Sequence, residues 1–323
     1  MKTIIRSEDL REKIIVRQYP ATGFSQGIQI EQHEIQEFNG ISGTEKRTAL
    51  EGALIVEREL SIARPYMLEV EHDFPFLKMQ FEMLGYSNFI SALAGVPAVE
   101  ILGGTHRLFF LPEVRGRLNY RQSRTTLEIN LTLPFFNRIF AGSDFPIPSF
   151  GQGLMNHTPV LLHEKPLPIL PAMRYCIEGI RREYYTGALR KIHLEAKITE
   201  LLLMQIHQVT QPGNQLRINP ADRDKLYYVK ELIEGNLYEH YTILQLAELA
   251  GMNDCKLKRL FKAQFGLTLF EYLTEVRLTQ ARQWLEEGKL SVDEIASRVG
   301  YRYAQHFAAA FRRKFGANPK AFT

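Results

Sequence analysis

Two short stretches near the C-terminal end carry side chains suited to one kind of chemistry. The first presents Cys255, Lys256, Lys258, Arg259 and Lys262, and the second Gln305, His306, Arg312 and Arg313. An arginine or lysine meets guanine edges in the major groove, glutamine meets adenine, and other cations settle on phosphates. No Asp or Glu interrupts Cys255 to Phe270, or Tyr301 to the end. A surface free of acids suits a polyanion.

These side chains need a scaffold, and an internal repeat supplies one. Thr242-Ile-Leu-Gln-Leu-Ala-Glu-Leu-Ala-Gly251 and Ser291-Val-Asp-Glu-Ile-Ala-Ser-Arg-Val-Gly300 match in spacing. Each opens with a hydroxyl residue and Gln or Glu three positions later, the signature of a capping box. Each closes on a glycine, which leaves a helix easily in the left-handed conformation. A second amphipathic helix is expected after each, over Asn253–Phe265 and Tyr303–Phe315. Short helix, glycine turn and second helix make a helix-turn-helix, present twice. Projection at about 100° per residue buries Leu257, Leu260, Phe261 and Phe265 in the first unit. Cys255, Arg259 and Lys262 then face outward, flanked by Lys256 and Lys258. In the second, Phe307, Ala310, Phe311 and Phe315 are expected inside, with Gln305, Ala309 and Arg312 outward beside His306 and Arg313. Thr268 and Glu271 form a third capping box, opening a long helix to about Leu285 that sets the spacing of the two units.

The charge distribution agrees with this placement. The net charge is only +4, but Gly251 to Thr323 carries +6, leaving −2 for the remainder. An anionic partner is expected at that end alone. Fourteen of the 15 prolines lie at or before Pro220, and none falls between Ala221 and Asn318. A long proline-free stretch suits a string of helices, because proline removes a donor and clashes inside a helix. Four segments follow: a β-rich domain over 1–171, a helical coupling or dimerisation segment over 172–207, a linker over 208–220, and a helix-turn-helix domain over 221–323. The fold class is α+β, with an N-terminal sandwich or small barrel and an all-α C-terminal domain.

In the N-terminal part, Leu127, Ile129, Leu131 and Leu133 alternate with polar residues, as do Leu77, Met79, Phe81 and Met83. That period predicts half-buried strands. Shorter strands are expected around Ile28–Ile30, Leu54–Val56 and Met67–Val70, and a hairpin turn at Gly103-Gly104-Thr105. Pro146, Pro148, Pro159, Pro166, Pro168 and Pro171 predict an extended connection. Helices are expected from Ala172 to about Tyr185 and from Ala188 to about Val209. On the second, Ile192, Ala196, Leu203 and Ile206 recur at helical spacing, which fits either packing on its own domain or a homodimer seam.

Composition excludes several classes. Hydrophobic residues are 45% and charged residues 24%, ordinary values for a globular chain. No apolar run approaches the roughly 18 residues a membrane span needs, and a charge interrupts the N-terminus before any signal-peptide core. A cytoplasmic location without membrane contact is expected. Cys176 and Cys255 are the only cysteines, which excludes disulfide scaffolds and cysteine-rich zinc sites. Glu71-His72-Asp73 is the one tight cluster of metal-capable side chains, but neighbours on a strand face opposite ways, so no metal site is assigned. No GxSxG, HExxH or paired-carboxylate pattern occurs, so no catalytic residue and no cofactor is named. An enzyme or DNA-repair protein with an attached DNA-binding domain is the alternative reading, and an architectural DNA binder a third.

Residues 221–323 resemble the double helix-turn-helix domain of AraC-type transcription regulators. The resemblance rests on Ile295-Ala296-x-x-Val299-Gly300-Tyr301 and Phe307-x-x-x-Phe311-Arg-Arg-Lys-Phe315-Gly316-x-x-Pro319. The first unit matches at Leu246-Ala247, Ala250-Gly251-Met252, Leu257-x-Arg259-x-Phe261 and Phe265-Gly266. Where that family usually has serine near the start of the second reading helix, this chain has Tyr303. Lys197-Ile-Thr-Glu-Leu-Leu and Phe265-Gly-Leu-Thr-Leu-Phe-Glu-Tyr-Leu resemble the subgroup that senses iron-chelating siderophores. The resemblance implies double-stranded promoter DNA, RNA polymerase and a small-molecule effector, a ferric siderophore, as partners. The effector's binding residues are not legible.

Overall fold

The computed structural model describes residues 1–20, 23–25, 27–141, 145–210, 218–286, 288–315 and 317–322. It divides into two compact units, Met1–Asn214 and Gln215–Thr323.

The first unit is a three-layer structure: two antiparallel sheets and a helical layer. One sheet has six strands in the order β2 (Ile14–Gln18), β1 (Lys2–Arg6), β6 (Tyr66–His72), β11 (Val114–Tyr120), β8 (Tyr86–Ser91), β9 (Val99–Leu102). The other runs β13 (Val160–Leu161), β10 (Thr105–Leu111), β7 (Phe76–Leu84), β12 (Arg124–Leu131), β5 (Ala53–Ile62), β4 (Ile41–Leu50), β3 (Gln29–Phe38), with β14 (Leu167–Pro168) also pairing β10. Between the sheets, Leu54, Val56, Phe76 and Phe109 meet Val70, Phe89, Val99 and Ile101. The outer face of the larger sheet, with Ile55, Leu77, Met79, Phe81, Leu127 and Ile129, packs on Met173, Ile177, Leu194, Ile198 and Leu201. These come from α3 (Pro171–Arg181) and α4 (Gly187–Thr210).

Several expectations change accordingly. The strands around Phe81 and Ile129 are not half-buried, because both faces of their sheet are covered. Gln80, Glu82, Arg124, Thr126 and Glu128, which alternate with the apolar residues, are themselves buried between the sheets. Gly103-Gly104-Thr105 is not a hairpin turn: it joins β9 of one sheet to β10 of the other. Leu133 leaves the strand pattern because Thr132 caps α1 (Leu133–Ile139), its side chain accepting from Phe135 N–H. The proline-rich connection contains α2 (Pro148–Met155), with Pro148 in the first turn, where no N–H is needed. Residues 172–207 pack within the same unit as the sheets, and Gln208–Thr210 of the expected linker belong to α4. Residues 211–217 of that linker lie outside the described residues.

The second unit is all helical. Its elements are α5 (Pro220–Gly235), α6 (Ile243–Leu249), α7 (Asp254–Phe265), α8 (Leu269–Glu286), α9 (Val292–Arg298) and α10 (Ala304–Phe315), then a 3-10 turn over Pro319–Phe322. Phe261 and Phe265 of α7 pack on Tyr272 of α8 and, for Phe265, on Tyr227 of α5. Around the other half of α8, Leu278, Ala281 and Leu285 meet Ile295, Ala296, Phe307 and Phe311. One long helix thus carries a separate apolar cluster for each pair of short ones.

Candidate nucleic-acid interface

Local chemistry sets both helix-turn-helix units. At α6 the Thr242 side chain accepts from Gln245 N–H, and Gln245 accepts in return from Thr242 N–H at 2.8 Å. Ser291 and Glu294 repeat this at α9, with Ser291 N–H donating to Glu294 Oε2 at 2.8 Å. The Ser291 N–H and hydroxyl both hold the Glu294 carboxyl below its usual range. Asn253 caps α7, its Oδ1 accepting from Cys255 and Lys256 N–H. Gly251 and Gly300 turn at φ +57° and +80°. The third capping box is formed too, Thr268 N–H donating to Glu271 at 2.8 Å.

On α7, Cys255, Lys258, Arg259 and Lys262 are exposed and Lys256 is half-buried. On α10, Gln305, His306, Ala309, Arg312 and Arg313 are exposed. Leu257, Leu260, Phe261 and Phe265 lie inside, as do Phe307 and Phe311, while Ala310 and Phe315 are half-buried. The side chains expected to face outward therefore do so, and each stretch lies on one helix.

Their electrostatic surroundings are not uniform. Lys256 Nζ donates to Asp222 Oδ1 at 2.8 Å, and Asp222 belongs to α5. Lys258 pairs with Asp254 at 3.0 Å, one turn earlier on its own helix. That hydrogen bond raises the Lys258 pKa and lowers that of Asp254. Arg259, Lys262, Arg312 and Arg313 form no ion pair among the described residues. On α7 and α10 they are the cations that no described carboxylate engages, since Lys256, Lys258 and Lys314 are paired. Sequence reading passed over Arg302, exposed in the turn before α10, where its guanidinium lies 5.4 Å from the Tyr303 ring centre. Tyr303 is itself exposed, with its ring 5.7 Å from that of His306. Arg302 precedes the helix expected over Tyr303–Phe315 and so fell outside its projection.

Elsewhere, the cluster expected to carry no metal is internally occupied. Glu71 pairs with Arg6, His72 Nδ1 is 2.7 Å from Thr3 Oγ1, and Asp73 accepts from Lys2 N–H. Among the described residues no group of three or more His, Cys, Asp or Glu could hold a metal ion. No described helix is long and apolar enough to cross a membrane.

The domain described as the regulatory protein PchR N-terminal domain matches residues 44–218, and the helix-turn-helix domain matches 246–323. The HTH-type transcriptional regulator GbdR of Pseudomonas aeruginosa is 30% identical over 133 residues, 39% of this chain and 35% of the relative. The HTH-type transcriptional activator RhaR of Yersinia pestis is 25% identical over 130 residues, 39% of this chain and 44% of the relative. The chain thus spans less than half the length of these curated relatives. A solved AraC-type transcriptional regulator from Chromobacterium violaceum is 30% identical, covering 32% of this chain and 93% of that one, with a TM-score of 0.30. Over half of the 323 residues fall within the PchR-type match and most of the second unit within the other, so the chain belongs to the PchR-type family of AraC-type regulatory proteins.

Proposed function

We propose that this chain is a sequence-specific, DNA-binding transcription regulator whose first unit senses a small molecule. The observation that supports it best is the pair of helix-turn-helix units, each exposing on its second helix cations that form no ion pair among the described residues. Arg259 and Lys262 serve the first unit, and Gln305, His306, Arg312 and Arg313 the second, with Cys255, Lys256 and Lys258 at the edge of the contact. The effector acts through a coupling free energy between the units and not by touching DNA. The siderophore-subgroup resemblance makes a ferric siderophore the effector of choice, RNA polymerase the downstream partner and the cytoplasm the location. No catalytic role is assigned.

The deciding experiment measures DNA affinity of the full chain across salt concentrations, with and without the small molecules that co-purify with it. Phosphate contacts release counterions, so log affinity should fall steeply with log salt. Added effector should shift the affinity at fixed salt. A flat salt slope would remove the DNA assignment; an unmoved affinity would remove the sensor.

A further inference from the structure

The second unit carries a groove of about 540 Å³ between the start of α6 and the N-terminal half of α8. Sites for small organic molecules run from roughly 300 to 1,000 Å³. Its walls are apolar: Ile243 and Leu244 come from α6, and Phe270 and Leu273 from α8. Leu244 is 65% and Phe270 56% exposed, although Leu246 and Leu269 beside them on the same helices are buried. Hydrocarbon left in water on both sides of a groove gains by being covered. No Asp or Glu lines it.

Arg277 also lines the groove, and it is only 8% exposed. Its Nε and Nη2 donate to the carbonyl oxygens of Leu237 and Glu239, both neutral acceptors. Its third nitrogen, Nη1, has no hydrogen-bond partner among the described residues and is not sealed from solvent. Arg107 of the first unit, also bonded to loop carbonyls, uses all three of its nitrogens. Arg58 and Arg124 are each bonded to a carboxylate. Arg277 has neither provision. Burial lowers its pKa and Tyr301 opposes; no carboxylate does. A largely buried guanidinium without an anion is costly, and a charge-assisted hydrogen bond to an oxyanion offsets that cost.

We propose that this groove is a ligand site for a monocarboxylate with an apolar body. The carboxylate accepts from Arg277 Nη1, and the hydrocarbon covers Leu244, Phe270 and Leu273. A neutral molecule of the same shape leaves the guanidinium without its anion. A small anion leaves the walls bare. The site lies wholly within the second unit, so it stands whether or not the first unit senses a small molecule.

The test titrates the full chain calorimetrically with 4-phenylbutyrate. The controls are 4-phenylbutyramide, which lacks the charge, and acetate, which lacks the apolar body. The acid should bind saturably, and both controls at least about tenfold more weakly, as expected for losing a hydrogen bond between charged groups or the burial of a ring. Arg277→Gln should weaken the acid by at least about tenfold. Arg277 also holds two loop carbonyls, so a second variant decides the matter if that one does not fold. Phe270→Glu places a like charge at the exposed mouth of the groove, in the first turn of α8, where a carboxylate suits the helix. It should fold and lose binding by a similar factor, while Phe270→Leu should keep it within about threefold, the smaller loss of apolar area. Absence of saturable heat with 4-phenylbutyrate would overturn the proposal. So would equal binding of the amide, or binding that a folded Arg277→Gln or Phe270→Glu leaves unchanged.

Discussion

The Arg277 guanidinium occupies the space that a side chain at Gly300 would need. A Cβ on Gly300 would fall 2.7 Å from Arg277 Cζ and from the Leu237 carbonyl oxygen, and closer still to Nη2. Arg277 is held there by donating from Nε to Leu237 O at 2.8 Å and from Nη2 to Glu239 O at 3.1 Å. The connecting helix therefore ties the loop before α6 to the turn of the second helix-turn-helix, through one buried arginine.

The two turn glycines should consequently differ in tolerance. Gly251 has only Lys225 Nζ nearby, at 3.6 Å from its would-be Cβ. Gly251→Ala should cost about 1–2 kcal/mol, the strain of a left-handed alanine. Gly300→Ala carries the same strain and also displaces Arg277 from two hydrogen bonds, for a total of about 3–5 kcal/mol. Urea unfolding followed by Trp284, which packs in the second unit's apolar cluster, reads this directly. Equal midpoints for the two variants would show that Arg277 yields freely.

Much of the second unit was legible in the sequence because its determinants are local. Thr242 with Gln245, Ser291 with Glu294, and the outward positions Arg259 and Arg312 are all fixed within a few residues of chain. The pairing of Lys256 was not legible, since Asp222 stands 34 residues away on another helix. In the sandwich, the alternation around Phe81 disclosed the strand but misjudged its polar face. Glu82 and Glu128 look solvent-directed until Arg124 and Arg58, which lie 42 and 70 residues from them, are brought across the sheet. Long-range strand pairing decides which charges are buried, and periodicity carries no information about it.

Helix α4 should mediate self-association. Leu189, Ile192 and Leu203 are each 64% exposed, Ala196 is exposed between them, and Ile206 turns into the unit's own core. Spacings of three, four and seven residues make one stripe, and burying each large side chain against a second copy is worth about 1.5–3 kcal/mol. Light scattering of the full chain should give a dimer, and Leu203→Glu a folded monomer. A wild-type monomer at high concentration would leave the stripe without this role.

Acid should weaken the first unit through His106. Its ring is buried, Nδ1 lying 2.8 Å from Gln205 Nε2 and Nε2 2.9 Å from Gln208 Oε1. This fits a neutral ring that accepts at Nδ1 and donates at Nε2. Burial lowers its pKa to about 4, with the Gln208 hydrogen bond opposing. The fold thus disfavours the protonated form. Its contribution is complete above the unfolded value near pH 6.5 and declines as pH falls toward 4, by about 1.4 kcal/mol per pH unit. Calorimetry of wild type and His106→Gln between pH 7 and 4.5 should show a shallower decline in the variant. Parallel curves would mean that His106 does not titrate as its burial requires.

The two reading helices should contribute unequally to base preference. Arg259 on α7 and Ala309 on α10 hold equivalent outward positions, as do Lys258 and Ala308, although Ala308 is only half-exposed. An arginine fork on guanine is worth about 1–3 kcal/mol of discrimination, while alanine offers only contact with a thymine methyl. Lys258 is engaged with Asp254, so Arg259 should be the principal reader of the first unit. Lys262 and Arg312 are both exposed, so phosphate anchoring should be shared more evenly. Gln305 and His306, exposed beside Tyr303, should give the second unit some base reading and limit the asymmetry. Binding selection from a randomised site should show Arg259→Ala losing preference over the bases nearest the first unit. Arg312→Ala should weaken all sequences alike and keep the profile. The roles would have to be exchanged if Arg312→Ala erased the profile while Arg259→Ala left it unchanged.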